Sequence, residues 1–266
     1  MTRTRIAGIL NVTPDSFYEL SRTFIAASRV ETEKAVAARV SEMLSQGADM
    51  IDVGACSTRP GSDAASEELE TARLDWSMPV VMRLAGAGVS VSVDTFRPSV
   101  AERMLDTWGS LVINDVSGGS DEMYQIVSRY DAAYVLTCSR NPGDDDVMTD
   151  MISFFDERLE RLSAYGADNV ILDPGIGFGK TLTQNYQVMS NLSRLMSLGL
   201  PVMVGVSRKS LIYRLLGITP DESLTGTTVL NTVAAMCRAD WLRVHDVAEA
   251  VQVVKITEEL LDKNTD

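Results

Sequence analysis

The sequence predicts a single-domain (β/α)8 barrel, a TIM-type α/β fold spanning residues 1–266, and three observations predict it. Eight short apolar, β-branched runs alternate with amphipathic stretches from end to end. Nearly every run closes on a side chain that hydrogen-bonds or ionises. The 266-residue length matches the roughly 250 residues such barrels use. No linker, low-complexity stretch or composition shift marks a second domain. A doubly wound open sheet is the alternative reading of the same alternation.

The runs are Ile6–Leu10, Met50–Val53, Val89–Val93, Leu111–Ile113, Ala133–Leu136, Val170–Leu172, Val202–Val206 and Trp241–Val244. The segments between them carry helical spacing. Val36, Val40, Met43 and Leu44 fall on one helix face, as do Phe155, Leu159 and Leu162, and Val247, Val251 and Val254. Gly47, Gly88, Gly166 and Gly199 stand where a helix C-terminus wants a left-handed residue. The stretch from Lys209 to Arg238 has room for an extra helical piece in the seventh unit. The acidic run Gly143–Asp146 reads as a solvated loop.

Composition narrows the function. A net charge of −13 argues against a nucleic-acid or anionic-membrane partner. Anionic small molecules remain, through a local cluster of Arg, Lys and backbone N–H groups. Cys56, Cys138 and Cys237 are far apart, no CxxC pair exists, and His245 is the single histidine, so a zinc site is not expected. Free thiols in a reducing, cytoplasmic setting are expected. No apolar run approaches the ~18 residues of a membrane span, and the first apolar stretch is too short for a signal peptide.

Barrel enzymes build their sites at the C-terminal ends of the strands. Those ends read Asn11, Asp52, Asp94, Asn114, Thr137, Asp173, Ser207 and Arg243/His245. Strand parity sharpens the reading. In VSVSVDT the valines face the helices while Ser90, Ser92 and Asp94 face inward. In WLRVHDV, Trp241, Arg243 and His245 share the inward face, so the histidine stands beside an arginine at the rim, where an anion can sit. Ser207 and Lys209 share a parity if the strand geometry persists that far. The stretch PGIGFGKT (174–181) imitates a phosphate-binding loop, but Pro174 stands where that motif needs glycine.

Seven motifs in order resemble dihydropteroate synthase, the folate-pathway family: GILNVTPDSF (8–17), DVGACSTRPG (52–61), SVDT (92–95), INDVSGG (113–119), ILDPGIGFGKT (171–181), PVMVGVSRKS (201–210) and LRVHDV (242–247). The resemblance runs from about residue 6 to 254. It implies a (β/α)8 barrel that condenses 6-hydroxymethyl-7,8-dihydropterin diphosphate with 4-aminobenzoate, giving 7,8-dihydropteroate and diphosphate with Mg2+. By the same resemblance Asp94, Asn114, Asp173 and Lys209 hold the pterin. Arg59, Arg243 and His245 meet the diphosphate, with Asn11 reaching it through Mg2+. Thr58, Pro60, Phe178 and Ser210 surround aminobenzoate, and Ser207 joins the substrate-binding set. Arg59, Asp94, Lys209, Arg243 and His245 form the catalytic group. Sulfonamides, which resemble aminobenzoate, are the inhibitors implied, and a homodimer packed through late helices is expected by analogy.

The chemistry agrees with these residue types. A pterin's 2-amino-pyrimidine edge presents adjacent N–H donors that one carboxylate, Asp173, accepts in parallel. Lys209 suits a ring carbonyl, and Asn11 offers a neutral oxygen of the kind Mg2+ accepts beside phosphate and water. The chain departs from the family pattern at Tyr18–Ser21, at Ala55–Cys56 and at Thr137–Ser139, where the family commonly has Met-His-Met. Two rival classes follow: a catalytically altered pterin-binding paralogue, and a pterin-dependent methyltransferase. The latter has no diphosphate to hold, and the STRPG and RVHDV stretches speak against it.

Overall fold

The β-branched runs become eight strands: β1 (Arg5–Asn11), β2 (Met50–Gly54), β3 (Ser90–Asp94), β4 (Val112–Asp115), β5 (Ala133–Thr137), β6 (Val170–Asp173), β7 (Met203–Val204) and β8 (Trp241–Val244). The structure, a computed structural model, describes residues 3–13, 29–56, 65–143 and 146–262. The strands pair in parallel in the order β6-β5-β4-β3-β2-β1-β8-β7. Leu172 of β6 bridges to Val202 just before β7, and the Leu172 N–H donates to the Pro201 carbonyl at 2.8 Å. That link closes the ring, so the fold is the barrel and not the open sheet.

Ten helices fill the crossovers among the described residues: α1 (Arg29–Gln46), α2 (Glu67–Ala85), α3 (Pro98–Trp108), α4 (Asp121–Arg129), α5 (Val147–Ala164), α6 (Leu182–Ser190), α7 (Leu192–Met196), α8 (Ser210–Leu216), α9 (Leu224–Met236) and α10 (Val247–Asp262). The extra piece expected in the seventh unit is present, since both α8 and α9 lie there. Each helix buries the face its periodicity marks: Val36, Val40 and Met43 in α1, Phe155 and Leu162 in α5, Val247 and Val254 in α10. Asp146, from the acidic loop, caps α5 by accepting the Thr149 N–H at 2.7 Å.

Parity divides the interior into two cores. Ile6, Leu10, Ile51, Val53, Val91 and Val93 point outward and pack with the helices. Ala7, Met50, Val112, Val135, Ile171, Met203 and Trp241 point inward and form a separate plug. Farther along the same strands the inward positions are Asp52, Asp94, Asn114, Thr137, Asp173 and Arg243. The apolar plug is therefore the floor on which a polar mouth is built.

Three local details differ from expectation. β7 ends at Val204 instead of Val206, because a turn intervenes. Gly47, Gly166 and Gly199 take positive φ, but after α2 it is Gly86 (φ 62) and not Gly88 that does so. The helix stops at Ala85 and a 3-10 turn occupies residues 86–88. β3 and β4 each reach one or two residues farther than the apolar runs, carrying Asp94 and Asn114–Asp115 into the sheet.

Gly175, after β6, has φ 64, and a Cβ there would fall 2.1 Å from the Cys138 carbonyl oxygen. Gly175→Ala is expected to cost at least ~2 kcal/mol, combining the left-handed penalty with backbone displacement. Urea denaturation checks it. Cys56, Cys138 and Cys237 are free thiols. Among the described residues no helix is long and apolar enough to cross a membrane.

Candidate active site at the barrel mouth

One arginine organises the mouth. From β8, Arg243 crosses the barrel to two carboxylates: its Nε donates to Asp52 Oδ2 at 2.6 Å and its Nη2 to Asp94 Oδ2 at 2.7 Å. Asn114 Nδ2 donates to the same Asp52 oxygen at 3.1 Å. Strands β2, β3, β4 and β8 are thus tied by side chains as well as by their ladder. Burial pushes Asp94 upward against the pull of Arg243, with Asp52 adding to the rise. The two carboxylates hold the guanidinium charged despite its burial.

Asp173, on the facing arc, is buried, which raises its pKa; Lys209 and the Gly175 N–H pull it down. That N–H donates to Asp173 Oδ1 at 2.7 Å. Burial lowers Lys209 to about 8, opposed first by Asp173. Its Nζ donates to the Ile176 carbonyl at 2.6 Å and lies 4.8 Å from the centre of the Phe178 ring. Ser210 follows at the start of α8. Asp173, Lys209 and Phe178 therefore share one side of the mouth.

Several buried polar atoms have no hydrogen-bond partner among the described residues: Asp52 Oδ1, Ser92 Oγ, Asp94 Oδ1, Asn114 Oδ1 and Thr137 Oγ1. They sit at inward positions of four consecutive strands, β2 to β5. Buried polar groups are almost always satisfied, so an arc of unpartnered acceptors and hydroxyls is the lining expected for a flat polar ligand. Gly54 leaves room there: a Cβ on it would lie 3.3 Å from Asn11 Oδ1 and 3.7 Å from Asp94 Oδ2.

The β7 end reaches the mouth by a different route from the one parity suggests. Arg208 takes φ 52, so Ser207 and Lys209 are presented by a turn and not by strand alternation. Asp246 holds that turn through two bonds to the Arg208 guanidinium, both 2.9 Å. Arg208 also donates to the Pro220 and Asp221 carbonyls at 3.1 and 2.7 Å. Ser207 braces the adjoining strand, its hydroxyl accepting the His245 N–H at 3.2 Å. This gives Ser207 a supporting position within the protein that the sequence did not reveal.

His245 is brought to the mouth beside Arg243, but its charge state differs from a cationic anion-binder. Burial, then Arg243, Arg208 and Arg39, lower it to about 3. At neutral pH it offers a hydrogen bond and not a positive charge. Unfolded, it takes a proton below its ordinary value of 6.5. Its contribution to stability therefore falls as pH drops from 6.5 toward about 3. His245→Asn is expected to flatten the acid side of the stability profile, as denaturant titrations between those limits would show.

Lys180, in the glycine-rich stretch, turns into its own loop and donates to the Cys138, Phe178 and Gly175 carbonyls at 2.6, 3.2 and 3.3 Å. It clamps the β6 loop, which accords with rejecting a phosphate-binding loop. Asn11 ends β1 facing the mouth. Among the described residues no group of three His, Cys, Asp or Glu side chains gathers as a metal site. Thr58, Arg59 and Pro60 lie outside the described residues, as does Tyr18–Ser21. The flanks of that second loop are pinned: Arg73 donates to the Ala55 carbonyl at 2.8 Å and Arg97, paired with buried Glu70, to the Ala65 carbonyl at 2.6 Å. Ala55 and Cys56 are buried.

Sequence reasoning placed Asp52 at a strand end but gave it no role. The available signal was a parity shared with inward Met50 and Gly54, together with an inward arginine that needed a carboxylate.

Comparison with known proteins fits this geometry. The family model described as pterin binding enzyme matches residues 7–245. A dihydropteroate synthase of Clostridium beijerinckii is 36% identical, over 96% of this chain and 94% of its own. The crystal structure of a Clostridium difficile dihydropteroate synthase in the presence of pteroic acid superposes with a TM-score of 0.88 at 32% identity, covering 97% of each chain. A Xanthomonas albilineans dihydropteroate synthase with 4-aminobenzoic acid gives 0.85 at 36% identity, covering 97% of this chain and 94% of the other.

Proposed function

The chain belongs to the pterin-binding enzyme family, its full-length relatives are dihydropteroate synthases, and from that premise we propose how its barrel mouth makes dihydropteroate. The observation that carries the reading is the buried arc of unpartnered polar atoms on β2–β5 facing Asp173, Lys209 and Arg243.

A dihydropterin lies flat across the mouth, above the apolar plug. Asp173 accepts two N–H groups from its 2-amino-pyrimidine edge, while Asp94 and Asn114 satisfy other ring polar atoms. Lys209, already charged at neutral pH and aimed over Phe178, donates to the ring carbonyl. Two of the five N–H donors of a guanidinium serve Asp52 and Asp94 in Arg243. The others face the departing diphosphate together with Arg59 and a hydrogen bond from neutral His245.

The aromatic amine is uncharged at pH 7 and needs no strong base. Leaving-group departure is the demanding event, so C–O cleavage runs ahead of amine attack, and the resulting methylene cation is conjugated with the ring. Mg2+ belongs to the proposal. Asn11 would hold it, and it would supply charge neutralisation at the departing diphosphate. One neutral protein ligand suits an ion that keeps waters and phosphate in its shell. Phe178 and Ser210, with Thr58 and Pro60, receive aminobenzoate, and a sulfonamide would compete there.

The test is release of diphosphate from 6-hydroxymethyl-7,8-dihydropterin diphosphate with Mg2+. Release that depends on 4-aminobenzoate is expected. Tight pterin binding without it would favour an altered binding paralogue, and methyl transfer from methyltetrahydrofolate the methyltransferase.

A cytoplasmic location accords with the three free thiols. A homodimer accords with exposed apolar side chains on two adjacent late helices, Val229, Val233 and Met236 on α9 and Ile256 and Leu260 on α10. Light scattering is expected to give twice the chain mass, and Val229→Glu to shift it to the monomer. A monomeric native protein contradicts the dimer.

A further inference from the structure

The geometry points to Thr137 as a further ligand-binding residue, its hydroxyl bonded to the pterin ring beside the edge that Asp173 serves. The inference rests on the pterin reading above and deepens it.

Thr137 is the last residue of β5 and is paired in register with Asp173 of β6. The two side chains leave adjacent strands at the same level, on the inward parity. Thr137 is 1% exposed, and its Oγ1 has no hydrogen-bond partner among the described residues. Its methyl group has a place: a Cβ built on Gly175 would fall 3.3 Å from Thr137 Cγ2. The methyl thus lies against Gly175, and the unpartnered hydroxyl sits on the strand level that also carries Asp173. The same loop donates the Gly175 N–H to Asp173 Oδ1, so one backbone segment positions both groups.

A valine at this site would fill the same volume without an unsatisfied oxygen. A threonine that lacks a partner in the protein alone is a net cost to the fold. Asp173 accepts from a ring edge, whereas a hydroxyl both donates and accepts. Thr137 therefore complements a ring acceptor next to the N–H groups that Asp173 takes, and selects for a heterocycle with that alternation.

The experiment measures binding of 6-hydroxymethylpterin to the full chain by calorimetry, with thermal midpoints, for wild type, Thr137→Val, Thr137→Ser and Asp173→Asn. Thr137→Val is expected to melt at or above wild type yet bind about 3- to 10-fold more weakly, the effect of one net hydrogen bond. Thr137→Ser, which keeps the hydroxyl but loses the methyl that positions it, is expected to bind more tightly than Thr137→Val and within about 3-fold of wild type. Equal binding by Thr137→Val overturns the inference, as does a loss in Thr137→Ser as large as in Thr137→Val. A fall in the Thr137→Val midpoint without weaker binding also overturns it. No binding by wild type, or binding undisturbed in Asp173→Asn, removes the pterin reading itself and the inference with it.

Discussion

Arg243→Ala is expected to lower turnover by about 10²–10³, the usual loss when one preorganised charge-stabilising group is removed from an active site. The guanidinium links β8 to both acidic strands. Removing it also leaves Asp52 and Asp94 buried without their counter-charge. Breaking such a pair typically costs about 3–5 kcal/mol, partly relieved as Asp94, already pushed up by burial, takes a proton. Stability and turnover must therefore be measured separately, with kcat referred to the folded fraction. Arg243→Lys sharpens the result. It restores the charge but not the fork that reaches two carboxylates, so it should recover much of the stability and little of the rate. Near-normal turnover in the alanine variant would remove Arg243 from the leaving-group role.

Asp173→Asn is expected to weaken pterin binding by about 100-fold or more, since hydrogen bonds to a charged group contribute about 1.5–3 kcal/mol each. The amide keeps the shape, and its oxygen can still accept the Gly175 N–H that Asp173 accepts at 2.7 Å. Its nitrogen then faces the ligand's N–H donors, and a donor meets a donor. Burial already disfavours the ionised carboxyl, so the variant should keep its fold, which circular dichroism would verify. Binding within a few-fold of wild type would place the pterin edge elsewhere.

The fold was legible because period-2 strands and period-3.6 helices alternate without interruption, and parity put Asp94 and Arg243 on the inward face. What the sequence could not carry is who pairs with whom across the barrel. Asp52 and Arg243 are 191 residues apart, and no local pattern announces their bond. The turn at Arg208 defeated parity because a left-handed residue resets the alternation. Its stabilisers, Asp246 and the carbonyls of Pro220 and Asp221, come from other segments. The neutral state of His245 was not legible for a related reason: burial and the nearby arginines that lower its pKa are properties of the closed barrel and not of the WLRVHDV stretch.

A crystal structure of the protein with 6-hydroxymethylpterin examines the central claim most directly. The account predicts a flat ring inside the barrel mouth, its 2-amino-pyrimidine edge on Asp173 and its other polar atoms on Asp94 and Asn114. A pterin seated outside the barrel, or inside it with no bond to Asp173, would contradict the account.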